Sequence, residues 1–351
     1  MANTSSPQHK DSHRSLTRRS FGVLALGSFS ALALAACGSS NSSDSNASES
    51  SASTSAKPAP SALPSGMGST AGDGEFPRTV KHFRGETKIE SAPKSVVILS
   101  TGQLDDVLAL GLVPIGAATA NDADLVPEYL KTKFSDKSAE LDKIAKVGKR
   151  TEPDLGAIAN LHPDLILINN TNKKEEIYDS LSKIAPTVVT EGTGHNWKQD
   201  FLMVASALGS LSKAEEMLKE YEDKAKKLGE KAGKEKTFSF LYAAGDRTRV
   251  YAKSSFVGSI CEDASLARPV VQQEGKTSID LSSENLDQAD GDYLFYGVQG
   301  GDESKLTSET LWESLKAVKE KHAHKVDSDM FYLNAGITAA LGVIEEIDKN
   351  I

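Results

Sequence analysis

The sequence predicts an α/β protein of two Rossmann-like lobes joined by a single long helix. Three observations carry this reading. Short apolar runs alternate with amphipathic helical patterns over residues 76–211, the alternation recurs over 233–351, and one long amphipathic stretch, 212–232, lies between them. Strands separated by helices imply parallel sheets with helices on their faces. Within the stretch, Ala214, Met217, Leu218, Tyr221, Ala225 and Leu228 step by three and four, so they share one helix face while Lys and Glu take the other. Ser212 with Glu215 reads as a capping-box start and Gly233 as the stop. At about 1.5 Å per residue such a helix spans roughly 30 Å, enough to brace two lobes around a cleft; an ordinary surface helix of one larger domain is the alternative.

Residues 1–36 read as a signal peptide and 37–75 as a tether. Lys10, Arg14, Arg18 and Arg19 precede an apolar run from Phe21 to Ala36, too short and too rich in Gly and Ser for a membrane span, which needs about 20 apolar residues. Thr17-Arg18-Arg19-Ser20-Phe21 carries the paired arginines of a twin-arginine export signal. Leu34-Ala35-Ala36-Cys37 looks like a bacterial lipobox, which makes Cys37 the lipidated first residue of the mature chain. The protein is then expected on the extracytoplasmic face of a cell membrane, held there by lipid only. From Gly38 to about Gly74 the chain is Ser, Ala, Asn, Gly and Pro, too poor in apolar surface to order itself. A formal charge of −9 argues against nucleic acid as a partner. Cys261 is the one thiol after Cys37, so no internal disulfide can form and stability must come from buried cores.

Residues 78–90 alternate around Arg84-Gly85-Glu86 as a β-hairpin. Apolar runs predict strands at 95–99, 113–117, 164–168 and 187–190, with helices at 103–110, 151–161, 173–184 and 197–208. Pro153 suits the first turn of the second of these helices in chain order. Past the linking stretch, strands are expected at 237–243, 248–252 and 292–296, and helices at 255–264, 282–288, 311–318 and 335–347. Ligands of open α/β sheets lie beyond the carboxyl ends of the strands. That rule singles out 100–103, 169–173, 194–197, 242–249 and 296–299, whose mix of aromatic, amide and basic residues suits a polar, partly anionic organic ligand.

Segments along most of residues 76–349 resemble iron-siderophore substrate-binding proteins of ABC importers. They include Arg78-Thr79-Val80-Lys81-His82-Phe83-Arg84-Gly85-Glu86-Thr87, Ala92-Pro93-Lys94-Ser95-Val96-Val97, Leu104-Asp105-Asp106-Val107-Leu108-Ala109-Leu110-Gly111, Glu152-Pro153-Asp154-Leu155, Arg249-Val250-Tyr251, Ser283-Glu284-Asn285-Leu286 and Leu311-Trp312-Glu313-Ser314-Leu315. The resemblance implies a helical-backbone binding protein with little hinge motion. It would hold a ferric siderophore, of the hydroxamate or desferrioxamine kind, in a shallow cleft as a monomer, with no other cofactor. It also implies docking onto an ABC permease through one acidic residue per lobe. Glu284 falls on the second-lobe position. The first-lobe glutamate is replaced by Gly156, and Glu152 four residues upstream stands in for it.

Arg249 and Tyr251 alternate on a strand and so project to one side, where a guanidinium can bond oxygens around the iron. Lys173 stands where relatives carry an arginine after the Asn169-Asn170 strand end. Trp197 at a helix start either stacks on the ligand or staples the helix, and Tyr296 ends a strand at the expected cleft. Gln103 opens a helix as ligand contact or cap, and Arg150 is a further basic candidate or a surface charge. Trp312 is read as packing. Of the later histidines only His195 lies at a cleft loop, and His322-Ala323-His324 reads as a solvated face, so a bare-metal site is not expected. A haem or cobalamin binding protein of an importer is the alternative within transport. A wall-associated α/β hydrolase is the alternative outside it, although the chain lacks a Gly-x-Ser-x-Gly elbow.

Overall fold

The computed structural model describes residues 57–120, 124–171, 175–192 and 194–351. The signal peptide, Cys37, most of the tether and Lys173 lie outside these residues. Where the tether was expected to run free up to residue 75, its last part is folded onto the body. Leu63 and Met67 pack against the core, and Gly68 bridges to Lys81. The buried Arg78 guanidinium donates to the carbonyls of Gly72, Glu75 and Ser206, fastening this strap to the turn that precedes the long helix.

Chain order begins with the hairpin β1 (Arg78–His82) and β2 (Gly85–Ile89). The first half continues as β3 (Val96–Ile98), α1 (Gln103–Ala109), β4 (Gly116–Thr119), α2 (Glu128–Lys133), α3 (Ser138–Leu141), β5 (Ala145–Lys149), β6 (Glu152–Pro153), α4 (Leu155–Asn160), β7 (Leu165–Asn169), α5 (Glu175–Ser182), β8 (Thr187–Thr190) and α6 (Trp197–Leu208). The linking helix is α7 (Leu211–Ala232). The second half comprises β9 (Phe238–Ala244), β10 (Arg247–Tyr251), α8 (Phe256–Asp263), β11 (Ser278–Leu281), β12 (Tyr293–Val298), α9 (Ser304–Thr307), α10 (Lys316–Lys319), β13 (Ala323–Lys325) and α11 (Ile337–Lys349). One sheet has the order β6-β5-β4-β3-β7-β8 and is parallel except for β6; the other, β11-β10-β9-β12-β13, is broken in direction only by β10. This is the two-sheet α/β architecture with one long connecting helix.

Local departures from the sequence reading each have a cause. The expected helix 151–161 starts late because Glu152 and Pro153 pair with β5, and Asp154 caps α4 by accepting from Ala157 N at 2.9 Å. The expected helix 311–318 breaks at Leu315, and the Asp290 carboxylate caps its second piece, accepting from Lys316 N at 2.6 Å. Ser212 is not the cap of α7. The helix begins at Leu211, and the strap's Asp73 accepts from Leu211 N and Ser212 N, each at 2.9 Å. Gly233 does end it, at φ 72°. His322 and His324 are not a solvated face, since the strand β13 lays His322 on Tyr293 (4.7 Å between rings) and His324 on Phe295 (5.6 Å).

Strand alternation sorts the core into faces. Val96, Ile98, Leu165 and Leu167 turn inward together with Phe238, Phe240, Tyr242 and Phe295 of the second sheet, and α1, α6, α7, α8 and α11 fill the space between into one continuous core. Residues of opposite parity form separate outer cores: Val97, Leu99, Ile166 and Ile168 in the first half, and Leu241, Val250, Tyr296, Val298 and Trp312 in the second. The halves therefore share an interior rather than each closing on its own.

Among the described residues, three side-chain ties cross between the halves. Asp105 of α1 accepts from Thr338 N (2.8 Å) and Ala339 N (2.9 Å) at the start of α11. Trp197 Nε1 donates to Ser259 Oγ at 3.1 Å. The buried Lys198 ammonium donates to both oxygens of Asp263 (2.8 and 2.7 Å), which also accepts from the Tyr221 hydroxyl of α7 at 2.7 Å. Removing one partner of a buried pair strands the other charge, so Lys198→Met should destabilise by about 3–5 kcal/mol in urea unfolding. Adding Asp263→Leu should restore part of that loss, and two independent losses would show the pair to be uncoupled.

A second expectation concerns the hairpin. His82 is buried, its Nδ1 accepts from Arg84 N (3.2 Å), and its Nε2 therefore donates to Thr87 Oγ1 (2.9 Å). Burial holds its pKa down at about 4, below the ordinary 6.5. The unfolded chain takes up the proton first, so this contribution is complete above pH 6.5 and is lost as pH falls toward 4. Against wild type, His82→Asn should flatten the decline in unfolding free energy over that window by about 1–3 kcal/mol.

Candidate functional site

On the inner face of its sheet the second half builds an aromatic cluster. Arg249 pairs across the ladder with Tyr242, and Tyr251, two residues along β10, projects to the same side. Tyr251 lies 4.9 Å, ring to ring, from Tyr332, which stacks on Tyr242 at 5.3 Å. The Tyr332 hydroxyl donates to Phe295 O (2.8 Å) and the Tyr251 hydroxyl to Tyr332 O (3.3 Å), so both phenols point into protein; Tyr242 and Tyr332 are buried, and Tyr251 is the partly exposed ring of the three. Burial pushes the Tyr251 pKa up to about 12 and that of Tyr332 well up, which keeps both protonated as donors. Behind the cluster the buried Arg268 guanidinium donates to the Tyr251 carbonyl and to Gln272 Oε1 and lies over the Phe240 ring, fixing the end of β10.

The guanidinium beside this cluster is only partly committed. Arg249 Nε stands 4.0 Å from Asp280 Oδ1, beyond hydrogen-bond reach, and Asp280 already takes two bonds from Arg247 (3.1 and 2.6 Å). The first half contributes Arg150, which follows β5 and whose Nη1 donates to Thr101 Oγ1 at 2.5 Å. Its pKa is lowered by burial and raised in part by the charges of Asp329 and Tyr129. Asp329 also acts electrostatically on Tyr242, as Arg249 does, so Arg150, Asp329, Tyr242 and Arg249 form one electrostatically connected group spanning both halves. Among the described residues, the Nε atoms of Arg150 and Arg249 are both buried without a hydrogen-bond partner.

Of the residues singled out from sequence, the structure puts Arg249 and Tyr251 on one side of β10, while Arg150 is linked to them only through the charge of Asp329. It moves others out of the cleft. Trp197 is 1% exposed, bonded to Ser259 and packed edge-on against Tyr221 and Phe256 (5.0 and 5.7 Å), so it staples the halves and meets no ligand. Tyr296 has the parity of the outer core, where it packs on Trp312 (5.0 Å) and donates to Glu303 (2.9 Å), away from the cluster. Gln103 braces its own loop, its Oε1 accepting from Leu99 N (3.2 Å) and Ser100 N (3.0 Å), and its buried side chain is no cleft contact. Lys173 and Cys37 fall outside the described residues. Glu152 and Glu284 are both exposed, the first on β6 beside the end of β5 and the second just after β11. Tyr332 and Asp329 escaped the sequence reading because they sit on the turn Asp329–Leu333, which has no strand or amphipathic pattern; the Phe331-Tyr332 pair was the available signal. No group of His, Cys, Asp or Glu able to hold a metal ion occurs among the described residues.

The family described as periplasmic binding protein matches this chain over residues 96–330. The probable siderophore-binding lipoprotein YfiY of Bacillus subtilis (strain 168) is 34% identical over 289 residues, which cover 77% of this chain and 86% of that protein. Among solved structures, Staphylococcus aureus SirA complexed with staphyloferrin B is similar at a TM-score of 0.66 and 28% identity, covering 78% of this chain and 97% of the other. The petrobactin-binding protein YclQ of Bacillus subtilis is similar at a TM-score of 0.62 and 27% identity, again over 78% of this chain and 97% of that one. With the match running through both sheets and the helix between them, the chain belongs to the periplasmic binding protein family and is a binding protein rather than an enzyme.

Proposed function

We propose that this protein captures a ferric siderophore outside the cell and hands it to an ABC importer, held to the membrane by lipid on Cys37. The observation that supports the reading is the aromatic cluster of Tyr242, Tyr251 and Tyr332 with the incompletely paired Arg249 on the same side of β10; Arg150 is the proposed second guanidinium, from the other half. Ring faces suit the organic frame of a chelate, and guanidinium forks suit its oxygens. The chelator already fills the coordination sphere of iron, so the protein need supply no metal ligand, in keeping with a site built from Tyr and Arg. Lys173, beyond Asn170 at the end of β7, would add a further cation. The names of the relatives, siderophore-binding and petrobactin-binding, support the same class of cargo.

Delivery requires a surface the importer can recognise. Glu152, on β6, and Glu284, in the short helical turn after β11, are exposed, one on each half, and are the proposed contacts for a basic permease surface. Salt screens such exposed pairs, so they serve orientation more than affinity.

Arg249→Ala should weaken binding of a ferric siderophore by about 1.5–3 kcal/mol, the loss of a charged hydrogen bond. Quenching of Trp197 and Trp312 on titration reads this, and an unchanged dissociation constant would remove Arg249 from the site. Haem and cobalamin in parallel titrations decide between cargoes, since saturable binding of either with none of the ferric chelates would overturn the siderophore reading. Glu284→Ala should leave binding intact while cellular iron uptake falls, and equal loss of both would contradict a docking role.

A further inference from the structure

We infer that a cavity beside the linking helix, lined from both halves, takes a small organic ammonium ion that carries an apolar arm. The inference is independent of the cargo assigned to the cleft, since none of Tyr242, Arg249, Tyr251 and Tyr332 is among the described residues that border this space. The cavity measures about 470 Å³, within the range of small-molecule sites. It lies where the end of α1 and the helix α2 of the first half meet α7, the turn Asp329–Leu333 and α11.

Much of its lining is apolar surface that the fold leaves uncovered. Ala109, Tyr129, Phe134, Met217, Met330 and Leu341 pack against the inner core yet stay only partly buried, and all of them border this one space. Such side chains are ordinary when scattered singly, whereas a set converging from five elements marks a place where apolar matter can be bound. The Tyr129 hydroxyl is spent on Asp105 at 3.1 Å, which leaves its ring for an occupant. A Cβ at Gly342 would collide with the Met330 sulfur, so the bare backbone of α11 is what lets Met330 lie against that helix. Two methionines give the lining a surface that adapts to the shape of an arm.

The polar part of the lining selects the charge. Glu128, Glu220, Asp327 and Glu345 stand against Lys133 and Lys224. Lys224 already lies between Glu220 (3.0 Å) and Glu345 (3.4 Å), so the rim holds one ammonium group of the chain's own. Glu128 meets the exposed Lys131 at 3.4 Å, and Asp327 accepts from Met330 N at 3.0 Å and has no ion pair among the described residues. An excess of carboxylates beside aromatic rings attracts a cation through its charge and through the ring faces, and repels an anion of the same shape.

The test titrates the full mature chain, isotope-labelled at its methionine methyls, with phenethylammonium, phenylpropionate and phenethyl alcohol, which share a phenyl arm and differ in charge. The signals of Met217 and Met330 should move saturably with the ammonium probe, while those of Met67 and Met203, which do not border the cavity, stay in place. The ammonium ion should bind roughly fivefold or more tightly than the carboxylate. Asp327→Asn, whose amide oxygen can still accept from Met330 N, should shrink that preference while binding of the alcohol changes little. Met217→Trp fills the space and should abolish the response of Met330. No saturable response to the ammonium probe, saturable binding that moves neither Met217 nor Met330, or equal or tighter binding of phenylpropionate each overturns the inference, and all three leave the siderophore reading in place.

Discussion

One carboxylate, that of Asp105, sets the frame on which the cleft depends. It belongs to α1 of the first half but occupies the start of α11 in the second, accepting from two backbone N–H groups that the helix itself cannot pair. Burial raises its pKa, and the bonds from Thr338, Ala339 and Tyr129 act the other way. The positive end of the α11 dipole favours the charged form as well. Close approach is possible because two glycines face the contact. A Cβ on Gly102 would come within 2.1 Å of Ala335 O, and one on Gly336 within 2.6 Å of the Asp105 side chain. With the start of α11 pinned, the turn Asp329–Leu333 just before it is pinned too, and that turn brings Tyr332 to the aromatic cluster and Asp329 near Arg150.

The same frame limits motion. Swinging the halves apart would pull Asp105 from its helix, separate Lys198 from Asp263, and break the packing of Trp197 on Tyr221 and Phe256. Each loss would expose a charge, an unpaired donor or a ring that is now dry. Recognition in such a body falls to side chains at the strand ends. The guanidinia of Arg150 and Arg249 are long, flexible and incompletely paired, and so are able to adjust where the backbone is not.

How much of this was legible in the sequence depended on periodicity. Strand β8 and helix α6 lie where the apolar runs place them, residue for residue, because both are buried and flanked by clear breaks. Strands β5, β11 and β13 were invisible. They are short, carry Lys, His or Asp on a half-exposed face, and owe their form to a neighbour's backbone. The site was half legible for a related reason. That Arg249 and Tyr251 share a side was legible because they alternate on one strand, whereas Arg150, read as a basic candidate or a surface charge, has its bond to Thr101 set by the fold alone. Tyr296 was misplaced because a strand end names a position along the sheet but not a face, and its neighbour Phe295 is the one that turns inward. Trp197 was ambiguous because a large ring at a helix start reads alike as staple or platform until the partner helix α8 is present.

On the proposed function, charge is sorted by position rather than by sum. The chain is acidic overall, at −9, which at long range would repel an anionic cargo, yet at physiological salt such repulsion fades within about 8 Å. What a ligand meets inside the cleft is therefore local. Arg150 and Glu152 stand about the β5–β6 turn, and the exposed Glu284 follows β11, the strand that pairs with the β10 of Arg249. Pairing these internally would silence both. Among the described residues neither pair forms an ion pair: Arg150 donates to Thr101, and Arg249 shares a face of β10 with Tyr251, opposite Tyr242. One surface can then present cations to an iron chelate and anions to a basic permease without either cancelling the other.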